Sequence, residues 1–378
     1  MPSLARSYGG PVTALAGYVS AGAIAGVQAA IVGPRCDEAD SAWLRAQMPD
    51  TTLVMAGESR AGAWSGAPAV LKALRPLLAD ADVVHVHGLL NPTSSGASRM
   101  AISTRRPVVI GPFGTMSPYT FSHRRVLAKR AYFHWIDAPN LRRASALHFT
   151  TATERAEAAW HGINSDGRSY IVPPPYHRVL PARPLDQIPS SPPVVLFLGR
   201  LHPTKGVDIL LESWGTVVDE YPSAELRIAG SGSARYTARI RHQAERLGAG
   251  SSIRFVGFVA DADKERHLRD AMLLVLPSRH ENFGISVLDA VAAGRPVIVT
   301  PGVQLAPWVA EQGVGRVTER TPAAIGRAIV ELLADGVLRA RVASIGPEAV
   351  TRAFGPRAVA PALEVMYQGA LAYRPGSP

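Results

Sequence analysis

The chain has 378 residues, 47% apolar and 19% charged, which is long enough for two cores and excludes an intrinsically disordered protein. Its 40 lysines and arginines outnumber 30 acids, a balance that favours anionic partners such as nucleotide phosphates, acidic membrane surfaces or nucleic acid. Cys36 is the one cysteine, so an internal disulfide and a cysteine zinc cluster are excluded, and no apolar run approaches the ~18 residues of a membrane span; a soluble chain in a reducing cytosol is the expectation.

Short β-branched runs alternate with helical patterns along the first half. Strands are predicted at 29–33 (AAIVG), 82–87 (DVVHVH), 107–111 (PVVIG) and 146–150 (ALHFT), and helices over 67–79, 123–136 and 153–161. Thr151-x-x-Glu154 opens the last of these as a capping box. His85 and His87 sit two apart and share one strand face. With no carboxylate or third ligand beside them, they read as lining residues rather than a metal site. The Asp80-Asp82 and Asp261-Asp263 pairs read as caps and surface. Proline is dense over 172–193; it fixes φ and leaves helix interiors, so this stretch reads as a linker.

Alternation resumes with strands at 194–199, 225–230, 253–258, 272–277 and 296–300, and helices at 206–219 and 236–247. Strands this short, separated by helices, imply parallel sheets covered on both faces. The predicted architecture is α/β, with two doubly wound Rossmann-like domains facing a central cleft. The first spans 1–175, a linker 176–193, and the second 194–355; a last helix in 356–378 packs back towards the first domain.

Three motifs carry chemistry. In LGRLHPTKG (198–206) a buried strand ends and presents Gly199, Arg200, Lys205 and Gly206 before a helix, where α/β sheets bind ligands. Two cations there suit a diphosphate. AGSGS (229–233) follows another strand, but lacks the third spaced glycine of a dinucleotide fingerprint. In SRHENFGISVLDAVAAGRPVIV (278–299), Glu281 precedes a helix starting near Gly284, whose free N–H groups form an anion site; Asp289 lies one turn inside it. The constellation fits a ligand with phosphate in the middle and hydroxyls at both ends, a nucleoside-diphosphate sugar. Taken singly, each motif also fits a solvated turn or a capped helix.

These stretches, with IRFVGFV and the early SYGGPV, resemble the family 4 retaining glycosyltransferases of the GT-B fold in order and spacing over most of the chain. The resemblance implies a metal-independent hexosyltransferase, with no cofactor, moving a sugar from a nucleotide donor to a hydroxyl acceptor, in bacterial cell-surface polysaccharide or glycolipid assembly. It implies that Arg200, Lys205 and Glu281 act at the reacting centre. Gly9, Gly10, Gly199, Gly257, Phe258, Val259, Asn282, Phe283, Gly284, Ile285 and Asp289 bind the donor, and His87, Phe113 and Gly114 line the acceptor side. A cytoplasmic enzyme, peripheral on the inner face of the plasma membrane, is expected. Another GT-B enzyme such as a nucleotide-sugar epimerase, or a non-catalytic nucleotide-sugar-binding or membrane-associated assembly protein, remains the alternative.

Three departures stand out. Asp289 replaces a longer glutamate, and Phe113 stands where many relatives carry histidine. Relatives also have an apolar strand before Gly9-Gly10, so a natural start upstream of Met1 is expected. The segment 122–144 mixes Arg124, Arg125, Lys129, Arg130, Arg142 and Arg143 with Tyr132, Phe133, Trp135 and Ile136. It fits an anionic membrane surface and a lipid-linked acceptor, and equally a solvated helix with its apolar side in the core. No nucleic-acid reading module accompanies it, so no nucleic-acid partner is expected.

Overall fold

The structure, a computed structural model, describes residues 3–58, 68–123, 125–164, 167–178, 192–247 and 252–373. These divide into two compact units, one running to His177 and taking in the stretch from Pro356, the other covering Arg178–Gly355. Of the predicted linker, residues 179–191 lie outside the described residues, as does Arg124.

In the first unit, α1 (Gly10–Ile24), β1 (Ala30–Arg35), α2 (Glu38–Gln47), β2 (Thr52–Glu58) and α3 (Pro68–Leu77) are followed by β3 (Val84–His87), α4 (Pro92–Ser103) and β4 (Val108–Gly111). Then come α5 (Val126–Tyr132), a π turn (Phe133–Asp137), α6 (Ala138–Arg143), β5 (Ala146–Phe149), α7 (Ala152–Ala159) and β6 (Ser169–Ile171). The strands form two parallel sheets, β1-β2 and β3-β4-β5-β6. Every residue of β4 and β5 is buried, whereas β3, with no neighbour on one side among the described residues, alternates buried and partly buried. That difference is expected of central strands covered on both faces. β2 and β6 escaped the sequence reading.

Helix α1 is apolar almost all round because it has two undersides. Val12 and Ala16 join Leu44, Met48, Ile31 and Leu53 over β1-β2. Ala14, Tyr18 and Ala21 join Val109, Ala146 and Val172 over the four-stranded sheet. The last helix, here numbered α15 (Pro356–Ala372), adds Leu363, Met366 and Ala370 to that second cluster.

The second unit holds β7 (Val194–Leu198), a 3-10 turn (Pro203–Lys205), α8 (Val207–Glu220), β8 (Glu225–Ala229), α9 (Ala234–Arg246), β9 (Ile253–Gly257) and α10 (Asp261–Asp270). It continues with β10 (Leu273–Leu276), α11 (Ile285–Ala292), β11 (Val297–Val299), α12 (Ala306–Gln312), β12 (Gly315–Val317), α13 (Pro322–Ala334) and α14 (Gly336–Phe354). One six-stranded parallel sheet runs in the order β12-β11-β10-β7-β8-β9. The chain reverses direction across the sheet between β7 and β10, the switch point at which doubly wound sheets bind ligands outside the strand ends. β12 was invisible in the sequence, since a three-residue Gly-Arg-Val run carries no periodic signal.

Candidate active site

The site grows from three loops at the carboxyl ends of β7, β8 and β10. β7 is buried along its whole length and stops at Leu198. Gly199 N–H then donates to the Ala229 carbonyl at 3.0 Å, and Gly230 N–H donates to Gly257 at 2.7 Å, tying together the loops after β7, β8 and β9. A side chain at Gly230 would run into the Gly199 carbonyl oxygen. The AGSGS glycines are therefore explained by backbone crowding, not by a phosphate fingerprint. Next, the His202 ring accepts from Thr204 N–H at 3.3 Å and caps the short turn that carries Lys205. Gly206 follows at φ 73°, and a side chain there would strike the Pro277 carbonyl oxygen of the loop after β10. Only glycine satisfies both conditions.

The loop after β10 is fixed from two sides. Arg279 N–H donates to the Thr204 carbonyl at 2.7 Å, while Glu281 bridges Gly302 and Gln304 through its backbone at 2.8 and 3.1 Å. The consequence is direct: the Lys205 ammonium and the Glu281 carboxylate form an ion pair. Their side chains are only 14% and 18% exposed, so this is a shielded pair rather than a surface one. Arg200 is exposed and enters no ion pair among the described residues. At His280, the residue before Glu281, burial lowers the pKa, Glu281 opposing and Lys205 assisting.

Gly284 sits at φ 105° and offers no side chain to cap α11, whose first residue is Ile285. The helix therefore presents uncapped amides next to Glu281. Asn282 lies between these residues, and Phe283 is buried edge-on against Phe354, 5.4 Å between centroids. Asp289, one turn into α11, is 2% exposed and accepts from Lys264 Nζ at 2.7 Å. Sequence reasoning missed Lys264; the signal available was a lysine in the first turns of a helix just after a strand end. That strand end is the Gly257–Val259 stretch, where Gly257 has φ 79° and Phe258 is 49% exposed.

In the first unit, Gly9 (φ 84°) caps the start of α1 and Gly10 is already its first helical residue, so only Gly9 belongs to a loop. His87 ends β3. Its ring packs against Phe113 at 4.6 Å and His85 at 4.5 Å between centroids. Phe113 itself is partly buried, turned inward over Gly111 at φ 49°. Leu90 in the loop after β3 also has positive φ, 55°. Each of these two strained loops is held by a buried carboxylate: Leu90 N–H donates to Asp137 at 2.7 Å, and Gly114 N–H donates to Glu154. Glu154 also accepts from Thr150 N–H and hydroxyl, both at 2.7 Å. Thr151 caps Glu154 N–H at 3.1 Å, while the Glu154 carboxylate reaches across to the loop after β4. Burial raises the pKa of Asp137, against its hydrogen bonds from Ser95 and Leu90.

Behind these loops runs a directional hydrogen-bond chain. The Val172 carbonyl can only accept, so His148 donates Nε2–H to it at 2.7 Å. His148 Nδ1 then accepts from His85 Nε2–H at 3.0 Å, and His85 Nδ1 accepts from the Tyr367 hydroxyl at 3.0 Å. Burial is the main cause that lowers the pKa of His85 and His87, and it takes His148 to about 4. All three are neutral imidazoles near pH 7. Among the described residues no group of three or more His, Cys, Asp or Glu is placed to hold a metal ion, and no helix is long and apolar enough to cross a membrane.

The chain resembles known proteins over most of its length. The family model for glycosyl transferases group 1 matches residues 183–349, and that for the glycosyl transferase 4-like domain matches residues 9–175. The phosphatidyl-myo-inositol mannosyltransferase of Mycobacterium tuberculosis is 35% identical over 175 residues, 44% of this chain and 45% of that protein. The D-inositol 3-phosphate glycosyltransferase of Corynebacterium glutamicum is 33% identical over 192 residues, 49% of this chain and 45% of that protein. The chain thus spans about half the length of the curated relatives it matches. Among solved structures, Anabaena Alr3699/HepE in complex with UDP and glucose superposes with a TM-score of 0.72 at 17% identity, covering 92% of this chain and 94% of that one. With both family models matched in order, and with this fold, the chain belongs to the family 4 glycosyltransferases of the GT-B fold.

Proposed function

We propose that this chain moves a sugar from a nucleoside-diphosphate sugar to a hydroxyl acceptor, retaining the anomeric configuration. The observation that carries the reading is the Lys205–Glu281 pair beside the uncapped start of α11. Within the pair the two charges offset each other. A diphosphate entering beside Arg200 and Lys205 takes the ammonium as its own partner. That frees the Glu281 carboxylate to accept hydrogen bonds from donor-sugar hydroxyls. When the glycosidic bond to the β-phosphate breaks, negative charge builds on the phosphate oxygen. Arg200, Lys205 and the α11 amides stabilise it from fixed positions, the role of an electrostatic hole. The acceptor hydroxyl attacks the anomeric carbon on the face the phosphate leaves, and its proton passes to the departing phosphate oxygen. No metal is required in this scheme.

In this reading the unit built on β7–β12 binds the nucleotide sugar and the unit built on β1–β6 takes the acceptor. Two matched relatives are named for inositol-bearing acceptors, so a polyol or glycolipid hydroxyl is the acceptor class we assign. The HepE structure holds UDP, which makes a uridine diphosphate sugar the first donor to test. We place the enzyme in the cytoplasm, peripheral at the inner face of the plasma membrane, in surface glycolipid or polysaccharide assembly.

A thermal-shift panel of UDP-, GDP- and ADP-sugars tests the donor site, since a ligand bound to the folded state raises apparent stability by mass action. At least one sugar nucleotide should shift the wild type, and Lys205→Ala should abolish that shift. An unchanged shift in the variant, or no shift with any member of the panel, would overturn the proposal.

A further inference from the structure

Residues 125–144 form a surface that the transfer reaction does not use. Helix α5, the π turn and α6 run on without a break from Val126 to Arg143. The inner face is seated: Phe133, Asp137, Ala138 and Leu141 are buried. On the outer face, Leu127, Ala131 and Trp135 lie at successive i, i+4 positions and all are exposed. Leu127 is 81% and Trp135 75% exposed.

The π turn shapes this face. One extra residue in the turn keeps Phe133 and Asp137 inward and leaves Trp135 and Ile136 outward. Asp137 is locked inside by Leu90 N–H and the Ser95 hydroxyl. It is the only acid between residues 122 and 144. Every exposed formal charge described on the segment is therefore positive: Arg125, Arg130, Arg142 and Arg143. Lys129 does not add to the face, because its ammonium donates to the Thr120 and His123 carbonyls at 2.8 and 2.7 Å. A second tryptophan adjoins the helix. Trp160, 79% exposed, stands next to His161, whose ring packs on Phe133 at 5.3 Å between centroids.

We infer that this face docks the protein on an anionic lipid bilayer, with Trp135 and Leu127 entering the interface and the four arginines facing lipid phosphates. Exposed tryptophan and leucine on a segment whose described exposed charges are all cationic match an interfacial helix. A nucleic acid would be served by the arginines but gains little from an exposed leucine. The inference does not depend on turnover. It does supply a reason for a lipid-borne acceptor to meet the first unit.

The test is flotation of the full chain with phosphatidylglycerol–phosphatidylcholine vesicles against phosphatidylcholine alone, following tryptophan emission. The protein should float with the anionic vesicles, shift its emission to the blue, and dissociate at high salt. Arg142→Glu with Arg143→Glu should weaken partition by roughly thirty-fold or more, at about tenfold per 1.4 kcal/mol and ~1 kcal/mol per charge near the surface. Trp135→Ser should remove the blue shift, with thermal unfolding and sugar-nucleotide thermal shifts unchanged in both variants. Equal binding to neutral vesicles, wild-type partition by both variants, or binding to an RNA homopolymer in place of vesicles would each overturn it. Sugar-nucleotide shifts read the donor site separately, so failure here leaves the transferase reading standing, and the reverse.

Discussion

Lys205 and Glu281 stand 76 positions apart in sequence and meet as a shielded ion pair. One comes from the turn after β7 and the other from the loop after β10, neighbouring strands of one sheet. The backbone bonds of the two loops, Arg279 N–H to the Thr204 carbonyl and Glu281 N–H to the Gly302 carbonyl, orient both groups. Lys205→Ala is expected to lower the rate of sugar transfer by about 10²–10³, the usual cost of removing one such stabilising donor. Circular dichroism should show an unchanged fold. A folded variant with wild-type turnover would remove Lys205 from the chemistry.

The second pair, Lys264–Asp289, is expected to behave differently. Asp289 is almost fully enclosed, and its side chain and that of Lys264 are 3% and 12% exposed. Truncating one member of a buried pair strands the other, at a cost of about 3–5 kcal/mol. Asp289→Ala should therefore shift the urea midpoint strongly before any effect on donor affinity is considered. A midpoint within error of wild type would show that the pair is wet and loose.

Gly206→Ala combines a left-handed backbone with a collision against the Pro277 carbonyl. Strain and overlap together should cost at least ~2 kcal/mol. They should also displace Lys205, so the variant loses stability and donor-induced thermal shift together. Loss of neither would show that the loop can rearrange.

The pH dependence has a definite sign. His148 titrates at about 4 in the folded protein, held down by burial, against ~6.5 unfolded. The unfolded state therefore carries more protons between those values, and stability falls as pH drops from 6.5 towards 4. For this one group the full loss approaches ~3 kcal/mol. Glu157 works in the opposite sense, because burial, then Glu154, raises its pKa to about 7. Its contribution is greatest at low pH and is lost as pH rises through 7. Denaturant unfolding at stepped pH should show a slope that His148→Gln flattens below pH 6.5, and a rise in stability at pH 8 for Glu157→Gln. A slope unchanged in the first variant would show that His148 stays accessible to solvent.

The parts of the molecule legible in sequence were those with a local signal. Buried strands such as 194–198 and 273–276 announced themselves as apolar runs, and the Arg200, Lys205 and Glu281 loops followed them at readable spacing. Short strands gave no such signal: Ser169–Ile171 and Gly315–Val317 are three residues each and exist because a neighbouring ladder receives them. The sequence also could not show that Lys205 and Glu281 pair, because that depends on Arg279 N–H meeting the Thr204 carbonyl. Lys264 was missed, and Glu154 was read only as a capping partner, for the same reason. Each sits in an ordinary helical first turn, and only the tertiary path reveals the Asp289 carboxylate facing one and the Gly114 amide facing the other.

The two ladders of the first unit share one helix but exchange no strand hydrogen bond among the described residues. Separating β1 from β2 therefore breaks nothing in the ladder that carries His87 and the Phe113 loop. Amide exchange should divide along that seam, with Leu53 and Val54 reporting an early, local opening and Val109 and Ile110 holding until the whole unit melts. Mutational damage on the β1-β2 side can then fray that edge while leaving the acceptor-side loops in register.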